Sequence, residues 1–399
     1  TVGLVGERLA EPRAMADSAA RVRVFSDDGR CVSDAVLMRR ALEYVKAFDG
    51  VVAQHAQEPR LTKDAQMNEG AVSGRLGLTG WPAVAEEAII ARDCLLAAHV
   101  GSRLHVCHLS TAGSVEIVRW AKSKGWDITA EVTPHHLLLT DDLVEDSPVG
   151  SYNPIYKVNP PLRTRADVEA LRAALADGTI DCVATDHAPH PVEDKETEWA
   201  AAAMGMIGLE TALSVVQEAM VETGLLDWAG VAERMSFAPA RIGRVAEHGR
   251  PIEAGAPANV TLYDPAVRAE VDPAGYASKS RNTPYQGRSL PGRVVECVGM
   301  QAAFDTALDV FRPAGSVGFV GVPHGVSHLA PMRLFGRQVR LAGGVAPARH
   351  YLPGLIDDVA EGRLDPAPLI DRVLRIDDVA EGYAAMDDGT ALKAVIRMT

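Results

Sequence analysis

Several things this sequence does without narrow what it can be. It has no Cys-x-x-Cys pair, and its five cysteines (Cys31, Cys94, Cys107, Cys182 and Cys297) are scattered and odd in number, which argues against a disulfide framework. Most sit inside apolar runs, where a free thiol packs as a small hydrophobe, so they read as reduced cysteines of the cytoplasm. No segment is apolar for long enough to span a bilayer. Thr1-Val-Gly-Leu-Val-Gly6 has no basic region leading into a long apolar run, so neither a membrane span nor a signal peptide is read from it. Positive charge is also scarce: 40 Lys and Arg stand against 53 Asp and Glu, and the net charge of −13 excludes a nucleic-acid backbone as partner. The chain begins on Thr rather than Met, as a fragment or a processed product would.

What is present is globular. With 399 residues, 47% hydrophobic and 23% charged, the chain can bury two or more cores. Short apolar runs alternate with helix-length segments. The runs are Arg21–Asp28, Val51–His55, Arg103–His108, Asp127–His136 and the stretch Cys182-Val-Ala-Thr-Asp186. Between the first two, Ser33 or Asp34 can cap a helix whose Leu37, Ala41, Tyr44, Val45 and Phe48 share a face. Residues 56–80 read as a long functional loop, 83–99 as a second helix, and Ser110 and Thr111 as the cap of a third. Strands separated by helices make a parallel α/β sheet.

Every one of these runs ends in Asp or His. Ionisable groups on all successive strand tips fit a barrel better than an open doubly wound sheet, because in a barrel all the tips face one site. Asp28, His55, His108 and Asp186 are the leading candidates, an oxygen and nitrogen donor set suited to one or two zinc ions or similar divalent metals. A metal that polarises a carbonyl, beside a carboxylate that shuttles a proton, describes a hydrolase of amides or esters. One strand-end histidine is more often structural than ligating; several such tips in one barrel reverse that weighting. His105, alternating with Val106 and Cys107, can face the helix layer and is read as structural. His135 and His136 stay open: one can approach the site while the other packs or caps.

Phe25-Ser-Asp-Asp-Gly29, His105-Val-Cys-His-Leu-Ser110, Glu131-Val-Thr-Pro-His-His-Leu137, Val158-Asn-Pro-Pro-Leu-Arg163, Ala184-Thr-Asp-His-Ala-Pro-His190 and Asn282-Thr-Pro-Tyr285 resemble bacterial class I dihydroorotase, of the amidohydrolase superfamily. The resemblance runs from about Thr1 to Val294. Hydantoinases and allantoinases bridge their metals with a modified lysine, where this chain offers Asp28. The resemblance implies a zinc-dependent, reversible cyclisation of N-carbamoyl-L-aspartate to dihydroorotate in pyrimidine synthesis. It implies that Asp28 bridges two zinc ions, that His55 and His108 complete one of them, and that Asp186 ligates the other and acts as general base, then acid. Asn159, His190 and the backbone around Met204 and Gly205 would hold the substrate. It also implies a homodimer or aspartate transcarbamoylase as partner.

No His-x-His pair precedes Asp28, although the family carries one on its first barrel strand. The expectation is an incomplete TIM-like (β/α)8 barrel over 1–250, lacking about three strands, with the Val22–Asp28 edge unpaired and at most one zinc well ligated. A remnant of a small β subdomain is expected over 251–294. From Val295, Glu296-Cys-Val-Gly299, Gly315-Ser-Val-Gly-Phe-Val-Gly-Val-Pro323 and Ala391–Arg397 resemble the end of a zinc-dependent medium-chain alcohol dehydrogenase, a partial Rossmann-like segment over 295–399. No GxGxxG phosphate loop opens it, so dehydrogenase activity is disfavoured. The readings are therefore a dihydroorotase by descent, a non-catalytic scaffold or chimeric relic, and last a dehydrogenase.

Overall fold

Apolar runs bounded by helix caps become a parallel sheet with helices along one face in the computed structural model. It describes residues 1–245, 248–251, 253, 261–276 and 278–295, and beyond them 316–319, 340–343 and parts of 356–397. Strands β1 (Val24–Phe25), β2 (Val51–Gln54), β3 (Arg103–Val106), β4 (Ile128–Val132) and β5 (Cys182–Val183) form one five-stranded sheet in chain order. All neighbours are parallel. Helices α1 (Ala35–Lys46), α2 (Val84–Val100), α3 (Ala112–Ser123) and α4 (Arg165–Asp177) make the four crossovers.

Local chemistry sets the helix boundaries. Asp34, rather than Ser33, caps α1, its carboxylate accepting from the Leu37 amide at 2.7 Å. Thr111 caps α3, and Thr164 with Asp167 forms a capping box on α4. Gly101 and Gly178 end α2 and α4 at φ +67° and +90°, which glycine adopts without steric cost. Asp34→Ala is expected to cost about 1 kcal/mol, the usual worth of such a cap, read as a lowered urea midpoint in circular dichroism.

The sheet's two faces differ. Val52, Leu104, Val106, Ile128 and Val183 join Met38, Leu42, Ile90 and Leu171 in the largest core cluster, between sheet and helices. Because Leu104 and Val106 take that side, strand alternation turns His105 to the opposite face, not the helix layer that the sequence left open to it. There it aligns with Ala53 and Thr129, and its ring meets Thr129 Oγ1 at 2.8 Å and Glu131 Oε2 at 2.9 Å.

Other boundaries also differ from the sequence reading. The first strand shrinks to two residues; among the described residues it stands at the sheet's edge, paired with β2 alone. The fifth ends at Val183, so Asp186 lies beyond it with φ +45°. Residues 56–80 are partly ordered into elements: Met67–Asn68 pairs in parallel with Gly80–Trp81, and helix Ala71–Leu76 lies between them. Met67 and Val72 have apolar partners in Val144 and Trp199, which a free loop would lack. Leu262–Glu270 and Ser289–Val295 form an antiparallel pair, whereas most of 251–261 lies outside the described residues.

The chain divides into two units, 1–342 and 343–399. Within the second, Arg372–Arg375 and Ala394–Arg397 pair in parallel across helix Val379–Asp387. Glu296–Gly299, most of Gly315–Pro323, and Cys297 lie outside the described residues. Among the described residues no helix is long and apolar enough to cross a membrane.

Candidate metal centre

Three strand tips deliver donors to one point. Asp28 follows β1, His55 is the residue after β2, and His108 stands two residues beyond β3. His55 Nδ1 lies 2.9 Å from His108 Nε2, and Asp28 Oδ1 lies 3.5 Å and 3.4 Å from those two atoms. A tetrahedral zinc with bonds of 2.0–2.1 Å separates its donors by about 3.3 Å, so this triangle has the dimensions of a ligand set. The donor chemistry, two imidazoles and a carboxylate, suits zinc equally well. Both histidines are buried, while the Asp28 carboxylate is half-exposed.

The electrostatics separate the two carboxylates. Hydrogen bonds from His108, then His55, hold Asp28 far below the usual carboxylate range. Burial acts the other way on Asp186 and raises it; the Asp28 charge adds to the rise, against His108 and His55. One carboxylate is thus kept ionised and its neighbour is made easier to protonate, the division of labour acid–base chemistry needs. Burial alone would lower His108, but its hydrogen bond to Asp28 and the charge of Asp186 outweigh that and hold it at about 9. His108 has φ +35° and Asp186 φ +45°. Backbone strain of this kind persists only where the surroundings enforce it.

The other residues expected at the site fall into two groups. Asn159 precedes Pro160 in a cis peptide and donates to Gln57 Oε1 at 3.2 Å, and Gln57 Oε1 also meets His55 Nε2 at 2.8 Å. Asn159 Oδ1 is buried without a hydrogen-bond partner among the described residues, an acceptor left over for a ligand. His190 Nε2 lies 3.0 Å from the Met204 carbonyl. Gly205, at φ +140°, has no room for a side chain: a Cβ there would come within 2.8 Å of His190 Nε2. Lys195, buried and lowered to about 8 by that burial, donates to the carbonyls of Lys157, Ala203 and Gly205 and fastens this loop.

The His135/His136 question is resolved by contacts. His136 packs, with Nδ1 at 2.8 Å from Thr133 Oγ1 and Nε2 at 3.2 Å from the Pro160 carbonyl. His135 Nε2 is buried and unpartnered. Gln57 and Lys195 were not foreseen from sequence, since neither belongs to a strand-tip pattern. Among the described residues a second three-donor group, His105, Glu131 and Cys182, lies within β3, β4 and β5 rather than beyond strand tips, with its His–Glu pair hydrogen-bonded.

Comparison with known proteins gives consistent results. A Dihydro-orotase-like family model matches residues 1–114. The chain is 77% identical over 294 residues to a dihydroorotase of Streptomyces coelicolor, covering 74% of this chain and 68% of that one. It is 55% identical over 294 residues to the dihydroorotase of Mycobacterium tuberculosis, covering 74% and 67%. The chain therefore spans about two thirds of the length of these curated relatives. Among solved structures, an L-hydantoinase (dihydropyrimidinase) from Arthrobacter aurescens superposes with a TM-score of 0.58 at 28% identity, covering 66% of this chain and 58% of that one. A dihydropyrimidinase from Brevibacillus agri gives 0.60 at 21%, covering 71% and 64%, and shows the fold alone.

Proposed function

We propose, from the premise that the chain belongs to the dihydroorotase family of cyclic amidohydrolases, that it acts on the dihydroorotate/N-carbamoyl-L-aspartate pair through the centre around Asp28, His55 and His108. The observation that carries this reading is the convergence of those three donors, with Asp186 within reach of their charges. A divalent metal, zinc in this reading, would be held by Asp28, His55 and His108 and would supply the Lewis acidity that polarises the ring amide.

The chain's own residues do the rest. Asp186, with its raised carboxyl, takes a proton from the attacking water as its C–O bond forms and returns it to the ring nitrogen as the C–N bond breaks. The orphan Oδ1 of Asn159 accepts an N–H of the substrate, and the hydrogen bond from Asn159 Nδ2 to Gln57 Oε1 holds the amide that carries that oxygen. The His190–Met204–Gly205 group forms the backbone wall of the substrate site, with Lys195 behind it.

The open five-stranded sheet supports the reading of 1–250 as part of a (β/α)8 barrel, and the Leu262–Glu270/Ser289–Val295 pair that of 251–294 as a small β subdomain. The parallel pair in 343–399 supports a Rossmann-like segment at most; the dehydrogenase-like reading of 295–399 otherwise rests on its sequence motifs.

A second reading, a non-catalytic dihydroorotase-like scaffold that pairs with a second copy or a transcarbamoylase, has one observation in its favour. Asp186 belongs to no three-donor group among the described residues, so it adds no second metal position beside Asp28, His55 and His108. Purification of the chain, zinc counting and a dihydroorotate ring-opening assay separate the two. The enzyme reading expects about one zinc per chain and turnover above an Asp186→Asn control; zinc without such turnover overturns it in favour of the scaffold.

A further inference from the structure

Helix α2 carries charges where a helix of this class carries hydrophobes. Its buried face includes Ala85, Ile89, Ile90 and Cys94, but also Glu86 and Asp93, which are 2% and 0% exposed. Seven residues apart, the two carboxylates lie on one stripe of the helix. For packing alone, apolar residues at both places would serve at least as well, since buried charge is costly even when paired.

Each carboxylate grips a segment leading to a metal-ligand candidate. Glu86 Oε1 accepts from the Ser110 amide at 2.9 Å, and Glu86 Oε2 accepts from the Ser110 hydroxyl. Ser110 stands two residues beyond His108, whose φ of +35° needs external support. Arg163 closes the same knot, donating from Nε to Ser110 Oγ at 3.0 Å.

Asp93 accepts from Gln54 Nε2 at 2.8 Å and from Arg92 Nε at 2.7 Å. Gln54 is the neighbour of His55, and its Oε1 accepts the Val32 amide at 3.2 Å; Arg92 donates to the carbonyls of Val32 and Ser33. That fastens the turn leaving Asp28. The Ala85 carbonyl, on the same helix, accepts from the Glu58 amide at 2.9 Å, just past His55. All three ligand segments are therefore anchored to one helix.

We propose that α2 is the alignment strut of the centre, with Glu86 and Asp93 as positioning residues that set the spacing of Asp28, His55 and His108. This rests on the reading of those three as metal ligands. Partners outside the ligand shell typically change affinity 10–100-fold, and these act one contact further out, so about tenfold is expected.

The test uses the full chain stripped of metal by chelator and titrated with Co2+, whose visible absorption reports ligand geometry. Glu86→Gln and Asp93→Asn should each bind Co2+ about tenfold more weakly than the unmodified chain and shift the band. Leu175→Ala, which opens the core on α4 and not on α2 or a ligand-bearing segment, should lower stability but leave Co2+ affinity within about twofold. If Glu86→Gln does not fold, Glu86→Asp, which keeps the charge and withdraws it by one methylene, gives the same readout.

Unchanged affinity and spectrum in both variants, with His108→Ala still losing the metal, overturn the strut and leave the ligand reading standing. An unmodified chain that takes up no Co2+ overturns both.

Discussion

His108→Ala is expected to weaken Zn2+ binding by more than about 100-fold, beyond the range lost when only an outer partner of a ligand is removed. It deletes one of three donors and also the hydrogen bond that keeps Asp28 ionised. A competition titration against a chromophoric chelator measures the loss. The same site predicts a pH dependence. Without metal, His108 is held at about 9, so near neutral pH it carries a proton that a metal must displace. Affinity should therefore rise by up to tenfold per pH unit from 7 towards 9 and then level off. Calorimetry in buffers of different ionisation heat should count one proton released from His108 in the unmodified chain and none from that position in His108→Ala. An equal proton count in both would reject His108 as the titrating ligand.

Arg163→Met should destabilise the fold by about 3–5 kcal/mol, the usual penalty when one member of a buried charge pair is removed and the other stays. Arg163 is 1% exposed and donates to Ser110 Oγ, to Asn68 Oδ1 at 2.9 Å and to the Trp81 carbonyl at 2.7 Å, with Glu86 3.9 Å away. Methionine fills much of the volume but leaves Glu86 without its counter-charge and Asn68 Oδ1 without the Arg163 donor, while the Trp81 carbonyl keeps only the Glu69 amide. Asn68 also donates to Asp141 at 2.7 Å, so the loss spreads to the 67–81 segment. A urea melt should show the drop in midpoint. Arg163→Lys should recover only part of it, because one ammonium cannot reproduce the fork that reaches all three acceptors. A melt within about 1 kcal/mol of the unmodified chain would show that the network carries little of the stability.

Much of this site was legible before any coordinates. The strand tips announced themselves because an apolar run that stops at Asp or His is a local pattern, and caps such as Asp34 and Thr164 act within three residues of themselves. The family motifs were readable for the same reason: each is a short contiguous stretch. Harder to read was anything whose partner lies far along the chain. Glu86 and Asp93 look like ordinary solvated helix charges until Ser110 and Gln54 are seen against them. Arg163 sits in a recognisable motif, but its contacts reach back 53 residues to Ser110 and 95 to Asn68.

His105 marks the boundary between the two kinds of information. Its alternation with Leu104 and Val106 says that it faces away from them, but not which side holds the helices; the packing of Leu104 and Val106 with Met38, Ile90 and Leu171 decides that. By itself, then, the sequence determined the alternation of strands and helices, the identity of the ligand candidates and the family, because those depend on short-range periodicity and contiguous motifs. Tertiary structure alone decided that Asp28, His55 and His108 meet at one point, that Asp28 and Asp186 are driven to opposite protonation tendencies, and that α2 holds the assembly. Donor spacing, burial and the field of neighbouring charges exist only once distant segments have packed together.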